Sequence, residues 1–256
     1  MILCENNGLA YYQFGLFTDQ PQLAHGVFTR RGGVSPHPCE GLNLGFVPHD
    51  DSRNVQQNLN MAANTLGLNG LAFVGQVHGD QSLVIHAKDG YQPKTPDQVK
   101  KGFDGMITPD PGVTLLTKLA DCQGVMLFDP ETNVLAVVHS GWRGSVANIL
   151  GKTVRRLATE FDVEPKRLLA GISPSLGPCC AEFVHFRDEL PESFWDYRKG
   201  DLFDFWAISR DQLVDEGLDA RNVEIGGICT KCSKEFFSYR REGVTGRFGL
   251  AAGVRE

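Results

Sequence analysis

The chain has 256 residues, 41% of them hydrophobic and 22% charged, with a formal net charge of -6 at pH 7. Such a length suits one core or two small ones, and the composition is that of a globular α/β or α+β protein, which excludes collagen-like and disordered classes. The acidic balance argues against nucleic acid or an anionic membrane surface as partner, since both require concentrated positive charge.

The first residues lack the basic start and unbroken apolar run of a signal peptide, and no later stretch is long enough to span a bilayer, so the cytoplasm is the expected compartment. Seven cysteines, an odd count, suit reduced thiols or metal ligands better than a disulfide framework. A hairpin-like opening is followed by HGVFTRRGGVSPHPCEGLNLG, whose Gly, Pro, Ser and Asn predict a long ordered loop carrying Arg30 and Arg31. From Asp51, Val55, Leu59, Ala62, Ala63 and Leu66 lie at helical spacing behind a polar cap. LAFVGQV, SLVIHA, VTLLTKL, GVMLF and NVLAVVH are short apolar runs ended by turn residues and predict buried strands, with GYQPKTPDQVKKG as an exposed excursion between them. Two more amphipathic helices are predicted, over SVANILGKTVRRLATEF and within DLFDFWAISRDQLVDEGL. No repeat or composition break marks a boundary, so residues 1–256 form one mixed α+β domain in this reading.

Three apolar runs deliver a polar residue to a glycine-containing turn: QVHGD at His78, LADCQG at Asp121 and Cys122, and VVHSGWRG at His139. Two imidazoles and a thiolate are borderline-soft donors suited to zinc, and three protein ligands leave a fourth position open, as in catalytic sites. These residues also fit a bare Cys122 nucleophile with a histidine base, or three unrelated structural residues. Asp121 is a candidate to orient a ligand or relay a proton. Arg143, in the turn after His139, is either an anion anchor beside backbone N–H groups or a surface ion-pair residue. Arg30, Arg31, Arg240 and Arg241 are read as structural. So are Trp142, Trp195 and Trp206, although Trp142 could stack on a base. Cys229 and Cys232 have redox or zinc-knuckle spacing and with Cys179 and Cys180 could complete a four-thiolate structural site, but the adjacent Cys179 and Cys180 have poor geometry for a finger. With no second CxxC, these four are expected to pack as small hydrophobes.

The wording QVHG, ADC before an apolar strand, and HSGWRG resembles the YfiH-like family, also called the laccase-domain or polyphenol oxidase family. HGVFTRRGGVS, GLNLG, FDGMIT, LGPCCAEF, DLFDFWAISRDQL, ICTKC and FFSYRREGVTGR follow in the family's order, so the resemblance covers nearly the whole chain. It implies a mixed β-sandwich flanked by helices and a zinc ion held by His78, Cys122 and His139. The activity it implies is purine nucleoside phosphorylase, with adenosine deamination and methylthioadenosine cleavage, so that a purine nucleoside and phosphate are the expected partners. An amidase editing peptidoglycan precursors and a non-enzymatic zinc-binding module are the rival readings. A copper oxidase is disfavoured because the chain has seven histidines in total, only two of them placed by these motifs. Gly124, Ala181, Ser140 and the C-terminal LAAGVRE depart from the family's usual residues. None is a proposed ligand.

Overall fold

The computed structural model describes residues 1–256. Its strands are β1 (Ile2–Asn6), β2 (Leu9–Gln13), β3 (Leu23–Phe28), β4 (Ser82–Val84), β5 (Gly105–Thr108), β6 (Thr114–Leu119), β7 (Gln123–Phe128), β8 (Leu135–Ser140), β9 (Leu169–Ile172), β10 (Arg198–Lys199), β11 (Leu202–Phe203), β12 (Val223–Ile225) and β13 (Phe248–Val254). Its α-helices are α1 (Ser52–Leu66), α2 (Trp142–Val146), α3 (Ile149–Phe161), α4 (Phe186–Glu189), α5 (Phe205–Asp215) and α6 (Tyr239–Glu242). A five-stranded antiparallel sheet runs β1-β2-β3-β13-β6, and a six-stranded mixed sheet runs β12-β9-β7-β8-β5-β4. The fold is α+β, as the sequence pattern predicts, and the two-sheet sandwich flanked by helices is the one the family resemblance implies.

Period-two alternation explains why the central strands read as unbroken apolar runs. In β7, Met126 and Phe128 enter the core between the sheets, with Val27, Leu119, Phe248 and Leu250 from the other sheet. Val125 and Leu127 point the opposite way, against Ile149, Val154 and Leu157 of α3 and Leu213 of α5. On the far side of the five-stranded sheet, Val55, Leu59 and Ala62 of α1 cover Phe28, Leu116 and Ala251. The layers are therefore helix, sheet, sheet, helix. Gly124 sits where side chains of the other sheet press on β7, since a Cβ there would lie 2.9 Å from a Leu119 methyl. The smallest residue is fitted to sheet packing at that position.

Asp51 caps α1 by accepting from the Arg53 N–H, and Gly67 closes it at φ 67°. Two expectations need correction. LAFVGQV is not a strand: Ala72 pairs with Leu115 only as an isolated bridge. Beyond it the Gln76 side chain takes the ladder's place, donating to the Lys118 carbonyl and accepting from its N–H, so the backbone is free to turn toward His78. The single helix over SVANILGKTVRRLATEF is two, because Asn148 adopts a left-handed conformation (φ 53°) and its side chain caps the start of α3.

Candidate metal centre

His78, Cys122 and His139 converge, with one ligand atom from each inside a sphere in which all lie within 4.8 Å of one another. The two imidazole rings meet edge to face, 4.9 Å between centroids. The chain's path dictates this meeting. Cys122 immediately precedes β7, His139 is near the end of antiparallel β8, and their neighbours pair as Gly124 with His139. Asp104 immediately precedes β5, the other neighbour of β8, so three elements open at one end of the six-stranded sheet.

Asp104 organises the site. It is buried, and its carboxylate accepts the N–H groups of Val77, His78 and Gly79 at 3.1, 2.9 and 2.7 Å. Oδ1 also lies 2.8 Å from His139 Nδ1, which leaves the other ring nitrogen for a ligand. His78 is held at φ 60° and Asp121 at φ 92°, backbone conformations that persist only where surroundings enforce them. Burial alone would raise the Cys122 thiol, but His139 and His78 beside it outweigh that and hold it at about 6. Burial alone would lower His139, but Cys122 and Asp104 raise it to about 9. A thiolate with two imidazoles and an oriented carboxylate is a donor set suited to zinc.

Gly141 completes the cradle. A Cβ there would stand 2.8 Å from His78 Cδ2 and 3.1 Å from Cys122 Sγ. Gly141→Ala is therefore expected to displace both ligands and lower bound metal at least tenfold at limiting metal concentration, with little change in thermal stability. Elemental analysis against a chelator series measures this.

The centre lies in a cavity of about 560 Å³. One wall is aromatic: Trp142 stands edge to face with Phe183, whose ring lies 5.3 Å from that of Phe205. Another wall carries Lys118, Arg240 and Arg247. Lys118 Nζ donates to the Val74 carbonyl, and Arg247 donates to the Thr245 and Gly246 carbonyls. Neither has a carboxylate partner. Burial, then the nearby Arg247 charge, pushes the Lys118 ammonium down to about 8. Two partly desolvated cations that line one cavity without a carboxylate ion pair give that wall a positive potential.

Of the residues singled out from sequence, His78, Cys122 and His139 meet and Asp121 lines the same cavity. Both Asp121 oxygens are engaged, accepting from the Thr230 hydroxyl and the Arg240 N–H at 2.6 Å each. Arg143 is outside the cavity lining, exposed, with its guanidinium 4.1 Å from the Trp142 ring centroid. The turn it occupies opens only the five-residue α2. Ser140 bonds Ser145 rather than a ligand. Arg30 and Arg241 are structural, paired with Glu242. Sequence reading missed Asp104, Lys118 and Arg247. A carboxylate opening the apolar FDGMIT, and a lysine inside VTLLTKL, were the available signals, since a charge in a buried run must have a partner. Cys179, Cys180, Cys229 and Cys232 come together as a second cluster, their sulfurs within 4.8 Å of one another.

The family model described as multi-copper polyphenol oxidoreductase laccase matches residues 24–255. A protein of Deinococcus radiodurans named purine nucleoside phosphorylase is 32% identical over 253 residues, covering 91% of each chain. A Streptomyces coelicolor protein of the same name is 34% identical over 233 residues, covering 88% of this chain and 93% of its own. The crystal structure of YlmD from Geobacillus stearothermophilus superposes with a TM-score of 0.89 at 28% identity, over 99% of this chain and 98% of that one.

Proposed function

This chain belongs to the laccase-domain, YfiH-like family, and on that premise we propose that it is a zinc-dependent purine nucleoside phosphorylase that also deaminates adenosine and phosphorolyses methylthioadenosine. The observation that carries the reading is one cavity with three different walls: the His78, Cys122 and His139 donors, the unpaired Lys118 and Arg247, and the Trp142, Phe183 and Phe205 rings. A purine nucleoside offers an apolar, stackable base and a polar sugar. Phosphate needs the cations.

In phosphorolysis a phosphate oxygen forms a bond to ribose C1′ as the C1′–N bond breaks, its electron pair leaves on the purine, and the purine takes up a proton. Lys118 and Arg247 hold the phosphate at the ribose, and the aromatic wall clamps the base so that attack is effectively unimolecular. In deamination an oxygen from water replaces the C6 amino group, which leaves as ammonia. His78, Cys122 and His139 would hold the zinc ion, which when bound would supply Lewis-acid stabilisation of developing negative charge. Asp104 fixes His139 and the His78 turn, and Asp121 fixes the loops bearing Thr230 and Arg240. A set of three ligands without a fourth protein donor favours an open catalytic centre over a purely structural zinc module. Two histidines at the centre are also too few for a multi-copper oxidase.

The test is incubation of purified protein with adenosine, inosine, methylthioadenosine and a muramoyl-amino-acid nucleotide, with and without phosphate, with products identified by mass spectrometry. Pentose 1-phosphate formed only with phosphate, and inosine formed from adenosine without it, are the expected results. Release of an amino acid from the muramoyl nucleotide, with nucleosides untouched, would establish the amidase reading instead.

A further inference from the structure

We propose that Cys179, Cys180, Cys229 and Cys232 form a second, structural metal site that takes one zinc ion as a four-thiolate centre and fixes a wall of the cavity. The geometry is that of a tetrahedron. Zinc–sulfur bonds of about 2.3 Å place tetrahedral sulfurs about 3.8 Å apart. Here Cys232 Sγ lies 3.8 Å from Cys179 Sγ and 3.5 Å from Cys180 Sγ, and all four sulfurs fall within 4.8 Å of one another. These separations far exceed a disulfide bond of about 2.05 Å.

The backbone is built for thiolates. Cys229 Sγ receives the N–H groups of Gly177, Lys231 and Cys232, the last two from its own CxxC turn. On the other side, the N–H groups of Cys180 and Ala181 close a turn on the Gly177 carbonyl, which presents two adjacent cysteines to the same point. The two loops are pinned by a Ser175–Cys229 bridge with bonds at 3.2 and 2.9 Å. A divalent ion bound here replaces four S–H protons, which pass to solvent, with no change in oxidation state. The basic residues Lys231, Arg240 and Arg241 on the flanking loops offset the resulting net charge.

The site reaches the cavity through short connections. Thr230, inside the CxxC turn, donates to Asp121, which adjoins Cys122. Arg240 donates to the carbonyls of Cys180 and Glu182, and Arg241 to those of Thr230 and Ser233. One ion would thus tie three loops whose residues Leu176, Ala181 and Arg240 line the cavity.

The experiment counts metal. Protein purified under reducing conditions should hold two zinc ions per chain. Cys179→Ser/Cys232→Ser should hold one, kept at the His78, Cys122 and His139 centre, whereas His139→Ala should lose the other. Because the double variant could misfold, cobalt is also titrated into stripped, reduced wild-type protein. The second equivalent should bring the intense thiolate-to-cobalt absorption of a four-sulfur site, several-fold stronger than that of the single-thiolate centre. Zinc content equal in wild type and the folded double variant, absence of the four-sulfur absorption, or a Cys180–Cys232 disulfide in the native protein would each overturn the proposal. Loss of metal from the His139 variant alone would not, so the two sites fail separately.

Discussion

Cys122→Ala is expected to abolish metal at the His78, Cys122 and His139 centre and to lower kcat/KM for both phosphorolysis and deamination by at least about a thousandfold. Metal polarisation contributes several kcal/mol to charge stabilisation, and about 1.4 kcal/mol corresponds to tenfold in rate. With the thiolate gone, two neutral imidazoles remain, too few for tight tetrahedral binding. His78→Ala and His139→Ala should behave alike, but Asp104→Asn should separate orientation from ligation. All three ligands survive in Asp104→Asn. What is lost is the charge that accepts from His139 Nδ1 and from the three N–H groups of the His78 turn. Loss of such an orienting carboxylate typically costs about ten- to a hundredfold in metal affinity. Elemental analysis and metal titration of Asp104→Asn should therefore show weakened binding that excess zinc restores, together with activity. Cys122→Ala should not be rescued. Full metal occupancy and activity in Cys122→Ala would mean the reaction does not use this centre.

The difference between these variants marks how far the sequence could be read. His78, Cys122 and His139 stood out because each ends an apolar run at a glycine turn, but their assignment as ligands came from the family resemblance, and Cys122 meets His139 through the pairing of β7 with β8. The pairing itself is not local information. Asp104 was illegible in its role because a carboxylate before a strand reads as a turn residue until β5 is known to lie beside β8. The buried strands were legible from apolar runs, yet the LAFVGQV segment was not. There a glutamine side chain replaces backbone pairing, and no period signals such an exchange. The convergence of the four cysteines was hidden for a similar reason. Their spacings of one and three are ordinary in sequence, and only the Ser175–Cys229 bridge brings the two pairs together. For Arg143, adjacency to a ligand suggested an anion anchor. Its side chain instead lies over the Trp142 ring and outside the cavity lining, because neighbouring residues in the α2 turn project in different directions.

That relocation of the anion site yields the second large effect: Arg247→Met should raise the phosphate KM about ten- to a hundredfold, while Arg143→Ala leaves it within about twofold. Hydrogen bonds to charged groups contribute about 1.5 to 3 kcal/mol, which sets this range. Deamination needs no phosphate and should fall much less in Arg247→Met, so the ratio of the two activities is the diagnostic rather than either alone. Lys118 adds a pH dependence. Its ammonium is held at about 8 by burial and by Arg247, so it is charged below that pH and neutral above it. The phosphate KM should accordingly be low near pH 7 and climb as the pH passes 8, and the climb should vanish in Lys118→Arg, which stays charged throughout. Initial rates across a phosphate series from pH 6.5 to about 9.5, with zinc content checked in each variant, measure both effects. A large rise in phosphate KM in Arg143→Ala with none in Arg247→Met would return the anion to the α2 turn.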